Sequence, residues 1–187
     1  SEVEPPRFGT ILTYTDYIDW QEFITDKLAE DLALKTQTIR KVLPETVITS
    51  HSAIPGLFSQ PSWDGTPDDR KMNNSVDYYG VSIYPKHAGA LRPWSPYFRA
   101  AGLDFVRSMA WKNEGFYVGE LQAGYGVFGL KVSLPVTADD LRDWMWSLVG
   151  SGARAINIYA YYPMSSGYEA GGYGLVDLDG RITPRAE

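Results

Sequence analysis

The sequence predicts a parallel α/β fold amounting to about half of a (β/α)₈ barrel, and three observations lead there. Runs rich in β-branched and aromatic residues near 45–50, 76–84, 116–119 and 153–161 read as four strands. Segments long enough for a helix or a crossover separate them, which implies parallel βα units rather than hairpins. A closed barrel needs eight strands and typically about 250 residues, and this chain has 187 residues, so four strands are what its length accommodates.

Each element has a local reason. Pro5-Pro6 and Gly9 keep the first 17 residues irregular. Asp19 followed by Glu22 resembles a capping box and announces a helix that runs to about Leu43. Trp20, Phe23, Ile24, Leu28, Leu32, Ile39 and Val42 fall near helical spacing along it, and Pro44 ends it. Glu45 to Ser50 is the first strand, finishing at His51. Ser52 to Ser75 is a long polar loop carrying Pro55, Gly56, Pro61, Gly65 and Pro67. A loop of that length inside a domain is functional or hides a short helix. Val76 to Tyr84 is the second strand, stopped by Pro85. Ser95-Pro96 starts a helix with proline at its first position, continuing to about Trp111. Gly115 leads into the third strand. Thr137 with Asp140 starts another helix, Gly150 and Gly152 end it, and Ala153 to Tyr161 is the last strand. Gly167 to Glu187 is a glycine-rich tail.

Composition narrows the function. A formal net charge of −6 argues against a nucleic-acid or anionic-membrane surface. There is no cysteine, which excludes disulfides and thiolate chemistry, and the two isolated histidines, His51 and His87, argue against a zinc site. No metal and no cofactor is expected. No run of about 18 apolar residues is present to span a membrane. No leader peptide is visible, but the chain starts at Ser1 without methionine, so the compartment of this soluble protein, cytoplasmic or secreted, stays open. Six Trp and thirteen Tyr suit sugar stacking, and a large core uses the same residues.

The chemistry concentrates in Phe116-Tyr-Val-Gly-Glu-Leu-Gln-Ala-Gly124. It reads as a short buried strand, Phe116 to Gly119, that ends on the carboxylate of Glu120 and opens into a glycine-containing loop. A buried acid is costly unless paired, and chains accept that cost mostly at sites. In parallel barrels the active site lies at that strand end. Glu120 is therefore the candidate catalytic residue. Trp63, in the long loop, is a candidate sugar platform.

Asp19-Trp20-Gln-Glu-Phe23, Ser82-Ile-Tyr84-Pro85, Asp104-Phe-Val-Arg107-Ser, Glu120-Leu-Gln-Ala-Gly124 and Gly152-Ala153-Arg-Ala form an ordered set that resembles glycoside hydrolase family 42, the β-galactosidases. Asp19-Trp20-Gln-Glu-Phe23 is similar to that family's Asp-Trp-x-x-Phe helix start, and Ser82-Ile-Tyr84-Pro85 to its Tyr-Pro ending of strand six. Asp104-Phe-Val-Arg107-Ser resembles its helix-six motif, Glu120-Leu-Gln-Ala-Gly124 its nucleophile strand, and Gly152-Ala153-Arg-Ala the start of its strand eight. Glu169, in Gly167-Tyr-Glu169-Ala-Gly, resembles its sugar-binding acid. The similarity runs roughly from Val3 to Asp179. It implies that residues 1–187 are the C-terminal half of a TIM-barrel catalytic domain, strands five to eight.

The resemblance implies a retaining β-glycosidase acting on β-D-galactosides or related sugars by double displacement. Glu120 would be the nucleophile and Tyr84 the hydroxyl that orients it. The family's acid/base is a glutamate following asparagine at the end of strand four, a strand that does not align with this chain. Asn113-Glu114 matches only in composition, because it precedes the Glu120 strand and lies on the opposite barrel face. The chain is thus expected to act with an N-terminal half-barrel, or as an oligomer, since an open half-barrel exposes sheet edges and apolar surface. On the substrate side, Tyr161 stands where the family has the strand-eight tryptophan, and Phe128 where a tryptophan contacts the sugar. Gly172 replaces a histidine expected three residues after Glu169. His51, closing the first strand, is either a hydroxyl ligand or a structural histidine. The alternatives are a non-catalytic carbohydrate-binding half-barrel or inactive fragment, and an α/β domain whose strand-end acids are structural.

Overall fold

A computed structural model describes residues 4, 14–58, 67–87, 93–110, 112, 115–128 and 131–187. Trp63 and the Asn113-Glu114 pair lie outside the described residues. Among the described residues six strands and four α-helices follow in the order α1 (Tyr14–Val42), β1 (Thr49–Ser52), α2 (Asp69–Asn73), β2 (Tyr78–Ile83), α3 (Pro96–Met109), β3 (Phe116–Gln122), β4 (Val127–Phe128), β5 (Lys131–Val132), α4 (Ala138–Gly150) and β6 (Ala153–Tyr159). A short 3₁₀ turn, Gly56–Phe58, follows β1.

The main sheet has the order β1-β2-β3-β6, every pair parallel. Helix-bearing crossovers impose that direction, because parallel neighbours cannot be joined by tight turns. The expected four-stranded parallel α/β architecture is what forms. Its core lies between the sheet and the helices, where Val81, Ile83, Phe116, Val118 and Leu121 meet Leu103, Val106, Leu141, Trp144 and Leu148. Burying each of the larger side chains stabilises by about 1.5–3 kcal/mol.

Several boundaries differ from the sequence expectation, each for a local reason. Helix α1 begins at Tyr14, so Asp19 and Glu22 sit on its exposed surface rather than capping it. Nothing between Tyr14 and Ile18 breaks a helix, and propensity carries it past the cap signal. Strand β1 starts at Thr49 because residues 44–45 form a turn after α1. Strand β2 starts at Tyr78 because the Asp77 carboxylate is engaged elsewhere, its two oxygens accepting from Arg40 Nη2 at 2.6 and 2.5 Å and Oδ2 also from the Ile48 amide at 2.7 Å. That cluster ties the end of α1 to the start of the sheet. Strand β3 runs on to Gln122, pairing Gln122 with Tyr159, so Glu120 lies within the strand rather than after it. Strand β6 ends at Tyr159, short of Tyr161. The antiparallel pair β4–β5 was not legible at two residues per strand.

Two helix starts follow the sequence closely. Ser95 accepts from the Phe98 amide ahead of Pro96, and Thr137 and Asp140 form a reciprocal capping box. The long loop also hides a helix, α2, capped by Asp68.

Candidate active site at the carboxyl ends of β2, β3 and β6

Strand β3 is irregular where it carries Glu120. Val118 and Leu121 both bury fully in the core between sheet and helices, though a strict two-residue period would put them on opposite faces. The pairing with β2 and β6 shifts in this stretch, accommodating the extra residue as a bulge does. The carboxylate of Glu120 is thereby directed away from the helices, toward side chains from β2. Asn157 of β6 donates through Nδ2 to the Gly119 carbonyl at 2.9 Å, which holds the distorted segment.

The carboxylate is clamped from β2. Tyr84 Oη donates to Glu120 Oε2 at 2.8 Å, and Ser82 Oγ lies 3.4 Å from the same oxygen. Among the described residues no hydrogen bond falls on Oε1. Burial pushes the Tyr84 phenol well above its ordinary value, and the bond to Glu120 pushes it further. Tyr84 therefore stays protonated and remains a donor.

A second carboxylate joins through aromatic rings. Tyr159, the last residue of β6, donates to Glu169 Oε2 at 2.8 Å, and its phenol is raised by burial and then by Glu169. The Tyr159–Ala160 peptide is cis. Tyr84 and Tyr159 have ring centroids 6.5 Å apart, and Tyr173 meets both. The Tyr173 hydroxyl and His87 Nε2 are 2.8 Å apart. Burial holds the His87 imidazole below its ordinary value, against the pull of Glu169.

Gln122 locks the loop that carries Tyr84. The side chain is fully buried; its Oε1 accepts from the Lys86 amide at 2.9 Å and its Nε2 donates to the Gly124 carbonyl at 3.0 Å. Lys86 Nζ then reaches Asp140 at 2.6 Å. Burial alone would raise the Asp140 carboxyl, but Lys86 and the Thr137 cap outweigh it and hold it below the usual range.

The sequence-derived candidates divide. Glu120, Tyr84 and Glu169 belong to one connected cluster. His51 packs its ring over Gly119, where an added Cβ would lie 2.1 Å from Nδ1, so it borders the cluster from β1. Tyr161 lies past the strand end, 69% exposed, and it is Tyr159 whose ring lies beside that of Tyr84, tilted at 55°. Phe128 is in β4, and its side chain lies outside the described residues, as does Trp63. Sequence reasoning missed Tyr159, Tyr173, His87 and Gln122. Gln122 and His87 had a signal, standing two and three residues beyond Glu120 and Tyr84. Tyr159 and Tyr173 had none, because tyrosine is abundant in this chain.

Among the described residues, no three His, Cys, Asp or Glu side chains converge as a metal site, and no helix is long and apolar enough to cross a membrane.

Comparison with known proteins gives a family. The model of the β-galactosidase family Glyco_hydro_42 matches residues 1–186. No curated protein sequence matches the chain. Among solved structures, a polyextremophilic β-galactosidase from the Antarctic haloarchaeon Halorubrum lacusprofundi superposes with a TM-score of 0.78 at 19% identity, covering 98% of this chain and 28% of that one. A β-galactosidase from the psychrophilic Marinomonas ef1 gives 0.69 at 17% identity, over 87% of this chain and 25% of that one. The cold-adapted β-galactosidase of Rahnella sp. R3 gives 0.71 at 17% identity, over 90% and 23%. At these identities the likeness is one of fold, to part of a TIM-barrel catalytic domain. The chain spans about a quarter of the length of these structures.

Proposed function

The chain belongs to glycoside hydrolase family 42, the β-galactosidases, and we propose that it supplies the nucleophile half of a retaining β-glycosidase acting on β-D-galactosides or related sugars. The observation that carries this reading is the hydrogen bond from Tyr84 to Oε2 of Glu120, which orients a strand-borne carboxylate and leaves Oε1 for attack.

In the proposed reaction Glu120 Oε1 attacks the anomeric carbon while a second carboxylic acid protonates the departing glycosidic oxygen. The glycosidic C–O bond breaks and an ester to Glu120 forms. Water, deprotonated by that second carboxylate, then attacks the anomeric carbon and releases Glu120, with net retention. The two carboxyl groups in such enzymes are about 5–5.5 Å apart. The acid/base would come from barrel strands outside these residues. Glu169 would bind sugar hydroxyls, with His51, Trp63, Phe128 and Tyr161 as further substrate-side candidates.

The domain reading rests on what flanks the sheet. Strands β1 and β6 each pair on one side only among the described residues. Apolar side chains on the flanking helices face solvent, Ile18, Leu34 and Val42 on α1 and Trp146 and Val149 on α4. Complementary barrel strands, in a partner half or in more of the same polypeptide, would cover them.

The test is Glu120→Gln in the assembled barrel, assayed on an aryl β-galactoside. Turnover should be lost with the fold intact; activity within about tenfold of wild type would overturn the assignment, since losing a nucleophile costs far more.

A second reading, a non-catalytic carbohydrate-binding half-barrel, draws on one observation. Gly172 packs closely on Gly126, where a Cβ would lie 3.0 Å from Gly126 Cα, so the sugar-side histidine expected at this position would require the Gly126 backbone to give way. Saturable galactoside binding without hydrolysis by the assembled protein would favour it.

A further inference from the structure

Resting on the reading of Glu120 and Glu169 above, we propose that His87 and Tyr173 form a positioning pair. Together they set the two tyrosines that hold those carboxylates.

Tyr173 touches neither carboxylate but touches both donors. Its ring meets Tyr84 edge-on, centroids 5.9 Å apart at 86°, and Tyr159 at 5.2 Å and 62°. Tyr84 donates to Glu120 and Tyr159 to Glu169. One ring is therefore the shared wall for two hydrogen bonds that begin on different strands. A displacement of Tyr173 would tilt both phenols.

The ring is held from behind by backbone. Gly126 has φ +63°, and a Cβ there would lie 2.3 Å from Tyr173 Cε1. A Cβ on Gly124 would lie 2.9 Å from Tyr173 Cα. The Ala160 amide donates to the Tyr173 carbonyl at 3.0 Å, tying it to the end of β6. Tyr173 is 4% exposed, and a buried phenol needs a partner for its hydroxyl. His87 Nε2 provides it at 2.8 Å.

His87 is delivered by the same turn that carries Tyr84. Its amide donates to the Tyr84 carbonyl at 3.2 Å, and its ring meets the Tyr84 ring at 5.4 Å and 74°. The three side chains close a ring of contacts, Tyr84 to His87 to Tyr173 and back. Burial holds the His87 pKa down and keeps the ring neutral; in its Nδ1–H tautomer Nε2 accepts and the Tyr173 hydroxyl donates, and in the Nε2–H tautomer the roles reverse with the contact kept.

The test is carbon-13 NMR of the assembled barrel, with the tyrosines of this chain labelled at Cζ, at neutral pH, comparing wild type with Tyr173→Phe, His87→Ala and His87→Gln. Tyr79 is the internal control, because its hydroxyl donates to Asp69, outside this cluster. Tyr173→Phe and His87→Ala are each expected to shift the Tyr84 and Tyr159 signals together while Tyr79 stays in place. His87→Gln, which keeps a hydrogen-bonding group, is expected to return them part of the way. Unmoved Tyr84 and Tyr159 signals in both Tyr173→Phe and His87→Ala would overturn the pair. Glu120→Gln separates this from the underlying reading. A Tyr84 signal that shifts in Glu120→Gln but not in the pair variants refutes the pair alone. One that ignores Glu120→Gln refutes the clamp on which both rest.

Discussion

Tyr84 Oη and Glu120 Oε2 are 2.8 Å apart, Tyr84 standing one residue past the end of β2 and Glu120 within its parallel neighbour β3. The bond depends on both strands stopping their regular pairing at the right place. Register shifts between Val81 and Ser82 on one and beyond Val118 on the other. Removing the phenol hydroxyl should therefore act on chemistry more than on folding. Tyr84→Phe is expected to lower kcat by about 10- to 100-fold, the equivalent of about 1.5–3 kcal/mol for a hydrogen bond to a charged group. Steady-state kinetics beside a urea unfolding curve would separate the two effects.

Gln122 should behave oppositely. Its hydrogen bonds go to neither candidate carboxylate; from a fully buried position it joins the Lys86 amide to the Gly124 carbonyl. Gln122→Leu leaves both groups short of a partner. A loss of about 1–3 kcal/mol in unfolding free energy is expected, read as a lower urea midpoint at unchanged slope.

Two glycines on adjacent strands should differ in tolerance. A Cβ on Gly80 would lie 1.4 Å from the Tyr117 carbonyl oxygen, a backbone atom that can move only if the strands part. A Cβ on Gly119 would meet the ring of His51, an exposed side chain that can swing aside. Gly80→Ala is expected to cost more than about 4 kcal/mol, beyond the usual range for single substitutions, and Gly119→Ala much less. Thermal melts of the two variants would check the order.

His87 gives a pH dependence whose sign is fixed. Its folded-state pKa lies below the ordinary 6.5 because burial disfavours the imidazolium, with Glu169 opposing. The unfolded chain therefore binds the proton more readily. The contribution to stability is full above about 6.5 and is lost as pH falls from there through the folded value. Wild type should lose stability relative to His87→Gln over that window, measured by chemical unfolding at successive pH values. Parallel curves would contradict it.

The sequence was most informative where one local rule dominates. The caps at Ser95 and Thr137 were legible because a hydroxyl in front of a helix has few other uses there. The parallel sheet was legible from strand spacing, and the buried strand that carries Glu120 from the apolar run around it. What could not be read is what depends on long-range fit. Glu120 lies inside β3 rather than after it, because β6 and β2 continue pairing past it. Tyr159, not Tyr161, faces the cluster because β6 ends there. The Asp19 cap signal lost to uninterrupted helix upstream. Tyr173 is placed by the end of β6 and by Gly124 and Gly126, the glycines nearly fifty residues away in the chain, contacts that no local pattern encodes.

Glu120 is the residue proposed to carry the glycosyl group. The most direct measurement is covalent trapping of the assembled barrel with an activated 2-deoxy-2-fluoro-β-galactoside, followed by peptide mass mapping. The account predicts a single fluorosugar adduct on the peptide spanning Phe116 to Gln122, localised to Glu120 and absent in Glu120→Gln. An active protein labelled at any other carboxylate would contradict it.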